Sequence, residues 1–399
     1  MAEVKMGVIG CGSIANIAHL PAIQRTQEAK LIAVCDIDRD RAEEMAAKWG
    51  AEQWFVDYRD MLEKSKLDAV IIATPNDVHR NQAVAAAAAG VHVVVEKPLT
   101  VTNYEARDIV YACRHADVKL LVGCDRRFFT QNQWAKELID AGVIGKLLMS
   151  RGSLHEHWYN YQNHVAYTDF RLHVEVAGGA ALNDTGAHVI DLLTWLNNSK
   201  VKKVTGIAKR LAMPAEYTLC DDTALVMMEF ENGAYATMSC NRFSPAVNAA
   251  AELCGTEGTI FTSTDATNPY QSWPMAVYTN KDYTVDTLPP ILKNYRWPEL
   301  FWVEDIIHEH VRKRWIPLAP PRFPSNYEKM LDHFLDCLIN DKDPLVSGED
   351  GARAVEVMCG TWKSMETDTW VELPLKEEII PPGYKKPPIE IEVTEKGFK

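Results

Sequence analysis

The sequence predicts an α/β protein: an N-terminal doubly wound parallel sheet followed by a C-terminal α+β domain with a large open, mainly antiparallel sheet. Three observations predict it. From Val4 to about Gly123, short β-branched runs alternate with longer, Ala-rich amphipathic ones, the pattern of a parallel sheet flanked by helices. A turn at Gly10–Gly12 separates the first such run from the first helical pattern. After Asp125 the texture changes, and longer alternating runs follow.

In the first half, strands are expected at Met6–Ile9, Leu31–Cys35, Ala69–Ala73, His92–Val95 and Leu120–Gly123. They are apolar enough to be buried on both faces, as parallel strands are. Helical patterns lie between them at Ile14–Arg25, Arg39–Lys48, Val78–Ala89 and Tyr104–His115. In the second half a helix at Trp134–Ala141 leads into strands at Leu147–Leu154, Val204–Arg210, Thr223–Phe230 and Ala234–Asn241. Asn232–Gly233 supplies a hairpin turn between the last two. Further helices are expected at Thr185–Leu196, Tyr327–Ile339 and Gly351–Met365. Residues 264–324, rich in Pro, Trp and Tyr, show no clear period and read as an irregular excursion. The tail after Pro374 contains Pro381-Pro382 and Pro387-Pro388, cannot be helical along its length, and is expected to wrap over a neighbour. The expected division is 1–124, a dinucleotide-binding domain, 125–374, a substrate-binding and oligomerisation domain, and 375–399, a Pro-rich tail.

A chain of 399 residues, 47% hydrophobic, has material for two substantial cores. Its net charge of −13 comes with no dense Lys/Arg block, so neither nucleic acid nor an anionic membrane is expected as a partner. Nine cysteines without a C-x-x-C pair do not describe a disulfide framework. Met1–Gly12 lacks the features of a secretion signal, and the longest apolar run, Ala83–Val95, is too short to span a bilayer. A cytoplasmic location is the resulting expectation.

Gly10-Cys11-Gly12-Ser13-Ile14-Ala15 follows a strand and opens a helix, which is the G-x-G-x-x-A context of a Rossmann dinucleotide site. Gly10 makes the tight turn, Gly12 lets a pyrophosphate approach the backbone, and Ser13 and Ile14 begin the helix whose N-terminus favours negative charge. Asp36 ends the next strand where a carboxylate accepts hydrogen bonds from ribose hydroxyls, which favours NAD over NADP. Arg39 and Arg41 are the groups that would accommodate a 2′-phosphate. Asp36-Ile37-Asp38 also fits an ordinary helix-capping turn. Thr74, Pro75, Asn76 and His79 follow the Ala69–Ala73 strand, at the carboxyl edge where ligands of such sheets bind, and are expected to border the cofactor.

Glu96-Lys97-Pro98 closes the His92–Val95 strand at the same edge, so the Lys97 ammonium is expected to enter the crevice. Asp184 and His188 are four apart and share a helix face, a spacing that lets them hydrogen-bond and suits a general base. The same spacing equally fits an N-cap aspartate and an interior histidine.

Taken in order, Gly10–Ala15, Asp36, Glu96-Lys97-Pro98, Arg126-Arg127-Phe128 and Asp184…His188 resemble the glucose–fructose oxidoreductase, inositol dehydrogenase and rhizopine catabolism (Gfo/Idh/MocA) family. The resemblance runs from Val4 to the Gly348-Glu349-Asp350-Gly351 helix start. Ala180 departs from the family's usual third glycine, and the tail is longer than expected. The resemblance implies NAD-dependent oxidation of a secondary hydroxyl of a sugar or cyclitol. It makes Lys97 the group at the reacting oxygen, with Asp184 and His188 as carboxylate and proton acceptor. It also implies a homodimer or homotetramer through the open sheet. Glu96 and Arg127 join the expected cofactor contacts. Arg127, His155, His157, Trp158, Tyr159 and Arg171 are candidates for the substrate's remaining groups, beside Lys97, Asp184 and His188. His155-Glu156-His157 and His308-Glu309-His310 offer no evident third ligand, so no metal is expected. Two alternatives share these parts: an NAD-assisted glycoside hydrolase and a non-catalytic sugar or nucleotide sensor. Lys97, Asp184 and His188 together speak against the sensor, which has no use for a proton acceptor.

Overall fold

Six parallel strands build the first sheet: β1 (Val4–Ile9), β2 (Ala29–Cys35), β3 (Gln53–Phe55), β4 (Ala69–Ile72), β5 (His92–Val95) and β6 (Leu120–Val122), in the order β3-β2-β1-β4-β5-β6. The computed structural model describes residues 3–157, 169–264, 274–284, 287–294, 310–311, 315–321, 323–394 and 397–398. Every residue of β4 and β6 is buried, as their apolar composition requires. The helices between strands are α1 (Leu20–Arg25), α2 (Arg39–Trp49), α3 (Tyr58–Lys64), α4 (His79–Ala88) and α5 (Asn103–His115). Strand order reverses beside β1, so a crevice opens at the carboxyl ends of β1 and β4. β3 was not anticipated: it is a three-residue, half-exposed edge strand with too little apolar sequence to register.

The second sheet has nine strands in the order β16-β13-β12-β11-β7-β10-β9-β8-β17. Following α6 (Thr130–Asp140), they are β7 (Leu147–His157), β8 (Val201–Lys209), β9 (Thr223–Phe230), β10 (Tyr235–Asn241), β11 (Phe243–Gly255), β12 (Gly258–Ser263), β13 (Met275–Thr279), β16 (Trp315–Leu318) and β17 (Val371–Glu372). Among the described strands of this sheet, only β7 and β10 pair in parallel. The expected hairpin at Asn232–Gly233 joins β9 to β10, with the Asn232 side chain accepting from Ala234 N at 2.9 Å.

The described residues within 264–324 are less irregular than their sequence suggests. β13 and β16 extend the sheet, and β14 (Tyr283–Thr284) pairs with β15 (His310–Val311). Met275 and Val277 alternate inward and pack with Ile260, Ile316 and Leu318 in a second core. Pro317 is tolerated because β16 is an edge strand. Pro and Trp around these short strands conceal their period.

Among the described residues three helices complete the second half: α8 (Gly186–Asn197), α9 (Asn326–Ile339) and α10 (Gly348–Thr367), with a single turn α7 (Val174–Ala177) before α8. α8 lies on β7, where Asn197 Nδ2 donates to Ser150 Oγ at 2.8 Å. α10 packs against both α5 and β8, binding the halves together. The tail packs on α5 of its own chain. Asn103 of α5 exchanges bonds of 2.9 Å with Glu377 O and Ile379 N, and Tyr384 donates to Glu105 at 3.1 Å. Polar side chains of α4 and α5 thus take up backbone groups that a proline-rich segment cannot pair with itself. No described helix is long and apolar enough to cross a membrane.

Between the halves sits a buried ion pair. Arg127, just after β6, donates from Nε and Nη2 to the Asp191 carboxylate of α8 at 2.9 and 2.6 Å, while Nη1 reaches Leu345 O and Asp350. Removing one partner of such a pair leaves an uncompensated buried charge. Asp191→Ala is expected to cost about 3–5 kcal/mol, read as a lowered urea midpoint, and an unchanged midpoint would contradict this account.

Candidate active site

β1 delivers the chain to Gly10, whose φ of 91° suits glycine and where a Cβ would lie 2.6 Å from Ala73 O. A Cβ on Gly12 would meet nothing within 4 Å, so the backbone faces open space where a pyrophosphate would rest. Exposed Ser13 and half-buried Ile14 start the helical stretch that passes through a π turn at Ala15–His19 into α1. At the end of β2 the Asp36 carboxylate accepts from Cys11 N at 2.8 Å and Asp38 N at 2.9 Å, which fixes it against the glycine turn. Arg41 stands 3.5 Å from it. Arg39, grouped with the cofactor contacts, lies over the Trp54 ring instead, 5.4 Å from its centre. Ile37, 94% exposed beside Asp36, offers an apolar surface. An open glycine turn, a helix N-terminus and a fixed carboxylate fit a dinucleotide.

Several residues expected at the cofactor are committed inside the protein. The Thr74 hydroxyl donates to Gln82 Oε1 at 2.6 Å, next to an extended Pro75. Asn76 is buried and reaches across to Ala177 O at 3.3 Å. His79, fully buried, has Nε2 3.0 Å from Thr74 O and Nδ1 3.1 Å from Pro98 O, so it ties the loop after β4 to the turn after β5. Burial lowers its pKa. Glu96 is equally interior, 2.8 Å from His19 Nε2 and accepting from Lys97 N at 3.1 Å. Burial raises its pKa, but the bond to His19 together with the charges of His19 and Lys97 outweighs this, and the carboxyl is held below its usual range. Arg127 is corrected most plainly: Asp191, Asp350 and Leu345 O occupy its guanidinium, which is therefore structural. Its neighbour Arg126 has a buried Nε with no hydrogen-bond partner among the described residues, and lies against Phe129.

Lys97 and Asp184 do come together, from opposite halves of the chain. Lys97 Nζ donates to Asp184 Oδ1 at 2.5 Å, while Asp184 Oδ2 accepts from Arg171 Nε at 3.1 Å and Arg242 Nη2 at 2.9 Å. Burial alone would raise the Asp184 pKa. The cations of Lys97, Arg171 and Arg242 reverse that and hold it well below the carboxylate range. Asp184 sits on a π turn, Ala181–Thr185, that runs into α8. The turn is held by Asp221, which accepts from Ala180 N and Leu182 N at 2.7 Å. The expected bond between Asp184 and His188 is absent, because cations take both carboxylate oxygens. His188 Nδ1 instead lies 3.1 Å from Asp125 Oδ1, at ion-pair distance without the alignment of a hydrogen bond.

β7 separates the remaining candidates by parity. Glu156 turns to the α8 side, where it accepts from Thr185 Oγ1 at 2.7 Å and stands 3.9 Å from Arg242. His155 and His157 therefore project from the opposite face, and His155 Nε2 is 3.1 Å from Ser239 Oγ there. Neither faces Asp184, which corrects their reading as substrate ligands. Trp158, Tyr159 and the His308-Glu309 pair lie outside the described residues. Arg171, by contrast, is at the site. Asp125, Glu156 and Arg242 were missed. Strand parity signals Glu156, but no local pattern marks Asp125 or Arg242.

Comparison with known proteins agrees with this layout. Residues 4–124 match the model of an oxidoreductase family with an NAD-binding Rossmann fold, and residues 132–261 match the GFO/IDH/MocA C-terminal domain. The chain is 28% identical to scyllo-inositol 2-dehydrogenase (NAD(+)) of Bacillus subtilis, over 94% of this chain and 97% of that one. It is 26% identical to myo-inositol 2-dehydrogenase of Thermotoga maritima, over 94% and 100%. A solved structure of levoglucosan dehydrogenase with NADH and levoglucosan shares the fold at a TM-score of 0.75 and 22% identity, over 94% and 100%. With both halves matched in order, the chain belongs to the GFO/IDH/MocA family of NAD-binding oxidoreductases.

Proposed function

We propose that the protein oxidises a secondary hydroxyl of a sugar, sugar derivative or cyclitol, with NAD as the hydride acceptor. The observation that carries this reading is the meeting of Lys97, from the carboxyl edge of the parallel sheet, with the Asp184 turn that leads to His188. The inositol dehydrogenases among its relatives support the substrate class.

NAD, when bound, supplies the carbon that takes the hydride. A secondary alcohol is a very weak acid, so its proton must leave with or near that transfer. His188 takes the proton. Lys97 donates to the alcohol oxygen and stabilises the negative charge developing there. Ionised Asp184 holds Lys97, Arg171 and Arg242 in fixed places, so that little reorganisation accompanies the reaction. Arg126, with its unsatisfied buried Nε, is suited to a further hydroxyl of the ring.

The outer face of the second sheet exposes several apolar side chains beside polar ones such as Arg151 and Thr237. Ile207 pairs with Leu225 and Met149 with Tyr235, and each is 40–52% exposed. This face is assigned to a second copy of the chain. Light scattering of Leu225→Lys is expected to give a smaller species than the wild type, and an unchanged mass would remove this face from the interface.

A screen of NADH formation across inositols, aldoses, their phosphates and simple glycosides is expected to find an oxidised polyol. On it, His188→Ala lowers kcat by roughly 10²- to 10⁴-fold. Wild-type turnover in that variant would refute the base, and sugar release without net NADH would point to redox-assisted hydrolysis. Asp36→Ala is expected to weaken NAD binding about tenfold and to narrow the preference over NADP, measured by calorimetric titration of both. An unchanged ratio of the two affinities would show that Asp36 does not discriminate.

A further inference from the structure

We propose that Asp125 is the positioning residue for His188, holding the ring hydrogen on Nδ1 so that Nε2 presents its lone pair to the substrate. The proposal rests on His188 being the proton acceptor and adds the group that makes it one. Asp125 follows β6 in the first half, His188 is in the first turn of α8 in the second, and their Oδ1 and Nδ1 atoms lie 3.1 Å apart. Both atoms are buried and lack any other hydrogen-bond partner among the described residues. The ring is out of line with the carboxylate here, and catalytic bonds of this kind commonly align only when ligand is bound.

Other acidic groups near His188 are engaged. On its own helical stretch, Asp184 is taken by Lys97, Arg171 and Arg242, and Asp191 by Arg127. Glu156 of β7 accepts from Thr185, and Asp350 of α10 pairs with Arg127 and Arg353. Asp125 itself feels Arg126 and Lys97. Burial raises its pKa, but His188 first, then those cations, keep the carboxyl below its usual range and therefore ionised. Its second oxygen accepts from the Asn326 side-chain amide of α9, which fixes the plane of the carboxylate. In the reaction the alcohol O–H bond breaks, the proton moves to Nε2, and the imidazolium is left donating from Nδ1 to Asp125.

Asn326 makes Asp125→Asn a directional test. Its amide donates, so the new asparagine keeps its oxygen toward Asn326 and turns its NH₂ toward Nδ1. That arrangement drives the ring hydrogen to Nε2 and removes the lone pair the substrate meets. In full-length protein with ¹⁵N-labelled histidine, the His188 signals, identified by their loss in His188→Ala, are expected to change from the Nδ1–H to the Nε2–H tautomer in Asp125→Asn. On the polyol found by the screen, kcat falls roughly 10²-fold. In Asp125→Ala the acid limb of kcat/KM moves to lower pH, because the imidazolium loses its counter-charge. An unchanged tautomer in Asp125→Asn overturns the proposal, as does a rate loss with the acid limb unmoved. If His188→Ala retains turnover, the base assignment fails, and the tautomer spectra still report whether Asp125 orients the ring.

Discussion

The site depends on how one helical stripe docks against the edge of the parallel sheet. Asp184, His188 and Asp191 stand at i, i+4 and i+7 along the π turn and α8, and so lie on one face. Their respective partners, Lys97, Asp125 and Arg127, all come from the carboxyl ends of β5 and β6. Each contact joins the two halves of the chain. A shift of one helical residue would break all three, so the stripe fixes register as well as proximity. Buried ion pairs add little net stability because desolvation offsets their attraction. Their effect here is to admit a single docking geometry, and that geometry places an ammonium and an imidazole at the carboxyl edge of the parallel sheet.

Much of the fold was legible because periodicity is local. Buried parallel strands read as unbroken apolar runs, and the Asn232–Gly233 turn and the helices at Tyr327 and Gly351 carry their own signals. What escaped was short or edge structure. β3 is three residues long, and β16 carries a proline that only an unpaired edge permits. β11 and β12 were overlooked although their strands are long enough to pair over five residues. The tail's course could not be read, because Asn103 and Glu105 bind it through side chains that look like ordinary helix surface in sequence.

The site was legible in part, and for a different reason. Spacing correctly put Asp184 and His188 on one face, but spacing cannot rank an intrahelical partner against one from another strand. The carboxylate went to three cations, two of which, Lys97 and Arg242, lie 87 and 58 residues away in sequence. Adjacent arginines are similarly ambiguous: on the short turn after β6, Arg127 points into an ion-pair core while Arg126 has a buried nitrogen with no hydrogen-bond partner among the described residues. His155 and Glu156 differ, since strand parity was available and places Glu156 with Leu154 and Gly152 on the helix side.

The two carboxylates of the crevice are unequal, and the inequality divides the labour. Asp184 answers to three cations, so its charge is spent on holding donors in place, and nothing remains on it to share with a fourth group. Asp125 has one oxygen pinned by a neutral amide and the other against an imidazole. A proton arriving on that imidazole therefore gains a counter-charge from Asp125, whereas near Asp184 it would add one more cation to a cluster already rich in them. On the proposed mechanism, the proton is therefore accepted at the Asp125 end of the stripe and the developing alkoxide is stabilised at the Lys97 end. That mechanism requires the substrate oxygen to lie between them, and so a hydroxyl whose carbon can also face the dinucleotide.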